Sequence, residues 1–117
     1  AQADGTRHIY VAPQVQIASY RVDFLCGHRI KSEDRLNLLA VEVDGHDFHE
    51  KTKQQARRDK SRDRDLLGKG IPVMRFTGSE VWKEPRECVE QIGMYFFDLM
   101  ANDWLERKGV VEPRQPR

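Results

Sequence analysis

Residues 36–49, LNLLAVEVDGHDFH, pass from an apolar stretch into two acids and then two histidines. The positions before the acids are apolar on both alternating faces, which predicts a buried central strand. Glu42 and Asp44 are two positions apart, so their side chains share one face of this strand. Buried charges are costly unless they are paired or bound to a metal, which favours a functional site here. A solvent-exposed strand end is the alternative interpretation.

Alternation elsewhere predicts the strands that accompany this one. Residues 20–26 alternate as a second strand, and the polar segment 27–35 predicts a hairpin turn that joins the two strands in antiparallel pairing. The short β-rich pieces 8–11 and 15–17 lie on either side of Pro13. Because proline is tolerated mainly at the margin of a sheet, they predict an edge strand.

The pattern changes to helical spacing after the histidines. Residues 50–67 are dense in charge and are followed by glycines, which predicts a helix. Residues 71–76, IPVMRF, predict a strand that arrives through this helical crossover and is therefore parallel to the central strand. Ser79 is expected to cap a short turn, and Pro85 to open a further helix. The predicted fold class is α/β, with a central mixed β-sheet flanked by α-helices.

The helix after Pro85 carries an apolar stripe at helical spacing, which predicts packing against a core. The stripe comprises Cys88, Ile92, Tyr95, Phe96 and Leu99. Additional apolar residues, Met94, Phe97, Met100 and Trp104, widen it beyond one face. This C-terminal helix is therefore expected to be well buried or covered by a partner, and the pattern is compatible with a homodimer.

Length and composition restrict the classes of protein. The 117 residues suit a single domain over 1–117, with residues 1–7 and 112–117 expected to be disordered. A formal net charge of +1 excludes an overall basic protein, so any basic surface must be local. The two cysteines are far apart, and no apolar stretch is long enough to span a membrane. A cytoplasmic location without a membrane partner is expected.

The acids of the two predicted inner strands suggest the chemistry of the site. Neighbouring strands lie about 5 Å apart, so Asp23, Glu42 and Asp44 can converge on one cation. Mg²⁺ prefers oxygen ligands and keeps open positions that a phosphate can fill. His49 follows the acids and titrates near neutral pH, so it could accept a proton from water. These features predict metal-assisted hydrolysis of phosphodiester bonds.

Basic residues at the start of the charged helix have two interpretations. Most charged helices are simply solvated surfaces with pairs of opposite charge three or four residues apart. Alternatively, Lys51, Lys53, Arg57 and Arg58 contact a phosphate backbone, which would release counterions from the nucleic acid.

Together these motifs resemble the PD-(D/E)XK, or restriction-endonuclease-like, nucleases, especially the branch that contains the very-short-patch mismatch repair endonuclease. The similarity covers residues 20–76 and rests on YRVDF, AVEVDGHDFH and RRDKSRDRDLLGKGIPVMRF. It implies a restriction-endonuclease-like core and a Mg²⁺-dependent endonuclease that acts on DNA, with Mn²⁺ able to substitute.

The resemblance also implies roles for individual residues. Asp23 and Glu42 match the two metal-binding acids, and Val43 is expected as a further metal position. His49 matches the catalytic histidine of the repair enzyme. Asp44 is included among the catalytic residues, although it stands where much of the superfamily has lysine.

Two alternatives to a magnesium nuclease remain open. The altered lysine position is compatible with a nuclease-like fold that binds nucleic acid without cutting it. Histidines and a cysteine in the first half of the chain could instead hold zinc, in a set formed by Cys26, His28, His46 and His49.

Overall fold

The structure, a computed structural model, describes residues 9–29, 36–45, 52–110 and 112. Its elements are β1 (Ile9–Ile17), β2 (Tyr20–Arg29), β3 (Leu36–Asp44), α1 (Lys53–Gly68), β4 (Val73–Thr77), α2 (Gly78–Lys83) and α3 (Pro85–Arg107). The chain falls into two compact units, Ala1–Pro85 and Arg86–Arg117. A single domain over 1–117 stays a prediction. The ends predicted to be disordered, 1–7 and 112–117, lie outside the described residues except for Glu112.

The first unit is built on a four-stranded sheet in the order β1-β2-β3-β4. β2 pairs with β1 and with β3 in antiparallel orientation, whereas β3 and β4 are parallel. α1 connects β3 to β4, as a parallel pair requires. The predicted α/β class with a mixed sheet is therefore confirmed, as are the antiparallel hairpin and the parallel crossover.

β3 is an inner strand because its sequence can be buried on both faces. Four consecutive residues, 39–42, are buried, so both alternating faces are covered. On one face Ala40 packs in a core cluster with Val22, Leu66 and Ile71. Leu66 is the buried residue of α1, so this helix packs against the sheet through its C-terminal half.

The edge strand contains one residue with an unusual backbone conformation. β1 runs continuously across Pro13, which confirms the predicted edge position. Gln14, the next residue, has φ of 53°. The ladder with β2 passes from Pro13 opposite Phe24 to Val15 opposite Val22. A left-handed conformation in a residue other than glycine costs about 1–3 kcal/mol, and such strained residues cluster at functional sites.

The predicted turn over residues 27–35 is wrong at its start. β2 continues to Arg29, and both Gly27 and His28 are buried. Gly27 lies opposite Leu38 of β3, and a Cβ atom at this glycine would be 3.4 Å from Leu38 Cδ2. This distance is an ordinary van der Waals contact, so Gly27 is simply one paired position of the strand and does not form a turn.

Two helix starts differ from the sequence prediction. α1 begins at Lys53 and not at residue 50, and Thr52 caps it by accepting a hydrogen bond from the Gln55 amide at 3.1 Å. α2 is capped by Thr77, not by Ser79, because Thr77 and Glu80 form a reciprocal capping box. β4 covers residues 73–77, slightly later than predicted.

The C-terminal helix begins at Pro85, as predicted. Cys88 and Phe96 of the predicted stripe are buried, and the rings of Tyr95 and Phe96 meet edge to face. Several apolar side chains of this helix are exposed, namely Val89, Met94, Phe97 and Trp104. A homodimer through this helix stays a prediction. Within the described ranges, no helix is long and apolar enough to cross a membrane.

Candidate active site

The candidate site lies where the pairing of β2 with β3 ends. The ladder runs from Arg29 opposite Leu36 to Phe24 opposite Val41. At the next position the Val43 amide donates to Asp23 Oδ2 at 2.8 Å. A carboxylate thus replaces the backbone acceptor that a continued ladder would provide, and the Asp23 side chain is held at the strand ends.

Glu42 is the second acid at this point and is only 5% exposed. Its Oε1 accepts a hydrogen bond from Arg62, and its Oε2 lies 3.4 Å from the Asp23 amide nitrogen. The free oxygen of Asp23, Oδ1, lies 3.5 Å from Gln14 Nε2. Glu42 Oε1 and Asp23 Oδ2 thus each accept a firm hydrogen bond, whereas Glu42 Oε2 and Asp23 Oδ1 are farther from their nitrogen donors, and the two carboxyl groups interact with each other.

These groups fit a divalent cation of the magnesium type. Two carboxylate oxygens from adjacent strands supply the hard ligands that Mg²⁺ prefers, with room for water. Val43 can contribute only its carbonyl, which points to the same side of the strand as the amide that contacts Asp23. Across the described residues, no group of three or more His, Cys, Asp or Glu side chains is arranged to hold a metal. Asp23 and Glu42 are the two carboxylates that the described residues bring together at the end of this ladder.

The protonation of Glu42 reflects its position. Burial raises the pKa of this carboxyl, the positive charge of Arg62 lowers it, and the neighbouring Asp23 raises it again. The net shift is upward from the ordinary value of 4.5. The folded protein therefore binds a proton at Glu42 more tightly than the unfolded chain does.

This shift predicts how stability depends on pH. The contribution of protonated Glu42 is fully present below about pH 4.5 and is lost as the pH rises through the folded-state pKa. Glu42→Gln mimics the protonated form, so we expect its melting temperature to exceed that of the wild type at pH 7 and to approach it at low pH. Thermal melts over a pH series with EDTA test this. A difference that is constant with pH would contradict the expectation.

Arg62 lies in one of the motifs that carry the family resemblance, but the sequence analysis did not include it among the site residues. It binds Glu42, donates to the Arg21 carbonyl at 2.7 Å, and places its guanidinium 5.7 Å from the centre of the Tyr20 ring. A sequence signal was present, because Arg62 is four residues before Leu66 and so shares the helix face that packs on the sheet.

Asp44 is also held by an arginine. Arg75 of β4 donates to Asp44 at 3.1 Å and forms a two-bond pair with Asp63 of α1, at 2.8 and 3.0 Å. The hydrogen bond with Asp63 raises the pKa of Arg75, which stays protonated. Asp44 therefore belongs to an ion-pair network that links α1 to both parallel strands.

The other residues predicted for the site lie on α1, on β2 or outside the described residues. Lys53, Arg57 and Arg58 are exposed on α1. His49 and Lys51 lie outside the described residues. Of the alternative zinc set, Cys26 and His28 are buried in β2, and Cys26 is a free thiol, as is Cys88. His46, like His49, lies outside the described residues.

Comparisons with known proteins add information on the family. A family model described as REase_MTES_1575 matches residues 5–95. A Haemophilus influenzae protein, described as uncharacterized, is 34% identical over 89 residues, which are 76% of this chain and 65% of that protein. The chain thus spans less than two thirds of the length of this relative. No solved structure matches the chain.

Proposed function

The chain belongs to the REase_MTES_1575 family, whose name indicates a restriction-endonuclease-like domain, and we propose that it is a metal-dependent endonuclease that cleaves DNA. The observation that carries the proposal is the pairing of Asp23 with Glu42 at the end of the ladder between β2 and β3. Asp23 Oδ1 and Glu42 Oε2 are only 3.5 and 3.4 Å from their nitrogen donors, and the two carboxyl groups also interact with each other. Two neighbouring carboxylates of this kind are suited to hold Mg²⁺, or Mn²⁺ in its place.

In this proposal each residue of the site has a defined task. A bound divalent cation would acidify water and stabilise the negative charge that develops on the scissile phosphate. Asp23 and Glu42 hold the cation, and Arg62 orients Glu42 by its contact with Oε1. His49 accepts a proton from the attacking water. The proposal also includes that the chain is related to the very-short-patch repair branch of these nucleases. This part rests on the spacing of His49 after the acids.

The proposal is tested by incubating the purified chain with supercoiled plasmid. We expect nicked or linear product with Mg²⁺ or Mn²⁺ and none with EDTA. Parallel reactions with single-stranded DNA and with RNA identify the preferred substrate. Intact plasmid under all metal conditions, at protein concentrations that saturate DNA binding, would contradict the proposed activity.

The basic face of α1 is proposed to contact the DNA backbone. Lys53, Arg57 and Arg58 are exposed on this helix, and Lys51 precedes it in the sequence. Phosphate contacts provide affinity without sequence preference, because they do not read the bases. Each residue that contacts phosphate should contribute about one unit to the slope of log affinity against log salt.

Charge reversal tests these contacts. We expect Arg57→Glu and Arg58→Glu to weaken binding equally for unrelated DNA sequences and to reduce the salt slope by about one each. Lys83→Glu on α2 is the matched control, since Lys83 is also exposed but lies on another helix. Fluorescence anisotropy at several salt concentrations measures the slope. An unchanged slope in both α1 variants would identify this helix as a solvated surface only.

One observation supports a second candidate function. Glu42 and Asp44 are each paired with an arginine, so both acids are neutralised without a cation. A module that binds nucleic acid but does not cleave it would have the same arrangement. It would bind DNA with the predicted salt dependence, yet show neither cleavage nor Mn²⁺ binding.

A further inference from the structure

Gln14 combines a strained backbone with a position beside the candidate site. Its φ of 53° lies in the left-handed region, which glycine adopts readily and glutamine does not. The pairs of the ladder between β1 and β2 lie on either side of this residue, whose position in the register is opposite Asp23. A glycine would relieve the strain, and strained residues of this kind cluster at functional sites, so the side chain of Gln14 is a candidate for a role there.

The side chain of Gln14 reaches the open oxygen of Asp23. Gln14 Nε2 lies 3.5 Å from Asp23 Oδ1, whereas Asp23 Oδ2 is held by the Val43 amide. A half-turn of the terminal amide exchanges its nitrogen and oxygen, so the same side chain can present Oε1 at this place. Neighbouring oxygen ligands of one Mg²⁺ ion are about 3 Å apart, given metal–oxygen distances of about 2.1 Å. The spacing of Gln14 and Asp23 is close to this value.

We propose that Gln14 is a third side-chain ligand of the candidate cation site, through its amide oxygen, beside Asp23 and Glu42. This inference rests on the proposed metal-dependent function. A neutral ligand is suited to the position, because a third carboxylate would add repulsion to two acids that already lie together. The register of β1 with β2 places Gln14 opposite Asp23, so an edge strand can contribute a side chain at the strand ends where the acids meet.

Two glycine substitutions separate the role of the side chain from the relief of strain. Gln14→Gly removes both the ligand and the strain, so Mn²⁺ affinity should fall at least about tenfold while the melting temperature without metal rises by about 4 °C. Ala18→Gly is the matched control. Ala18 also has φ of 53° but lies in the turn between β1 and β2, so its substitution should raise the melting temperature and leave Mn²⁺ affinity unchanged.

A third variant distinguishes a ligand from a hydrogen-bond donor. Gln14→Glu presents carboxylate oxygens only, so a ligand role predicts tighter Mn²⁺ binding and a lower melting temperature without metal. A role limited to donating a hydrogen bond to Asp23 predicts weaker binding instead, because the two carboxylates would repel each other. Isothermal titration of the full chain with Mn²⁺ measures all of these affinities.

The outcomes separate this inference from the proposed function. If the wild type does not bind Mn²⁺, the metal-dependent function and the role of Gln14 both fail. If the wild type binds Mn²⁺ and Gln14→Gly binds it equally well, only the role of Gln14 fails. Weaker binding by Gln14→Glu than by the wild type would likewise overturn the ligand role and leave the metal site standing.

Discussion

Replacement of Asp23 by asparagine, or of Glu42 by glutamine, should lower the rate of DNA cleavage about 10³-fold while the protein stays folded. The reason is that a correctly held metal ion supplies several kcal/mol of transition-state stabilisation, and each 1.36 kcal/mol corresponds to a factor of ten. Both amides keep the shape of the original side chain but lose the negative charge that holds a cation. The fold should survive, because neither carboxylate belongs to the apolar core cluster around Val22 and Ala40.

Single-turnover plasmid cleavage at saturating Mg²⁺ measures this effect, together with thermal melts of each variant. Asp65→Asn is the matched control, since Asp65 is an acid of the same unit that accepts a hydrogen bond from the Tyr20 hydroxyl and takes no part in the proposed centre. It should retain cleavage within a few-fold of the wild type. Wild-type rates in the Asp23 or Glu42 variant would show that the cation, and with it the active site, lies elsewhere.

The second large effect is expected at His49. If this histidine accepts a proton from the attacking water, His49→Ala should reduce the single-turnover rate by about 10²–10⁴-fold with little change in Mn²⁺ affinity. The wild-type rate should rise with pH near neutrality as the imidazole loses its proton, and this limb should disappear in the variant. Rates at saturating Mg²⁺ over a range of pH provide the measurement.

His46 supplies a control for this prediction, because it is a histidine of the same segment, three residues earlier. A general base at His49 predicts that His46→Ala keeps the wild-type rate. A zinc site would instead make both variants lose tightly bound zinc. If the rise of the rate with pH near neutrality persisted in His49→Ala, this histidine would be excluded as the base. An unchanged rate with lowered stability would indicate a structural role.

Much of the sheet could be predicted because alternation has a direct structural cause. The apolar residues of β3 on both faces identified an inner strand, and the alternation of β2 identified the neighbouring strand that carries Asp23. Helical connection of β3 to β4 required parallel pairing. These relations depend on neighbours along the chain or on strand periodicity, which a sequence displays.

Other features depend on particular contacts that periodicity does not encode. Gly27 was interpreted as a turn former, yet it packs opposite Leu38 within the sheet. The contact of Arg62 with Glu42 joins residues 20 positions apart and depends on how α1 packs against the sheet. The left-handed conformation of Gln14 had no signal in composition, because glycine is the usual residue for such a backbone.

The backbone of β1 at Pro13 and Gln14 also bears on how the molecule behaves in concentrated solution. An edge strand offers unpaired backbone groups to other chains, and three apolar residues at the start of β1, 9–11, are exposed. Pro13 lacks an amide hydrogen, and Gln14 directly after it departs from extended backbone, with φ of 53°. The extended parts of β1 on either side of these two residues are 9–12 and 15–17. A proline and a left-handed residue in the middle of an edge strand disfavour edge-to-edge pairing with another chain.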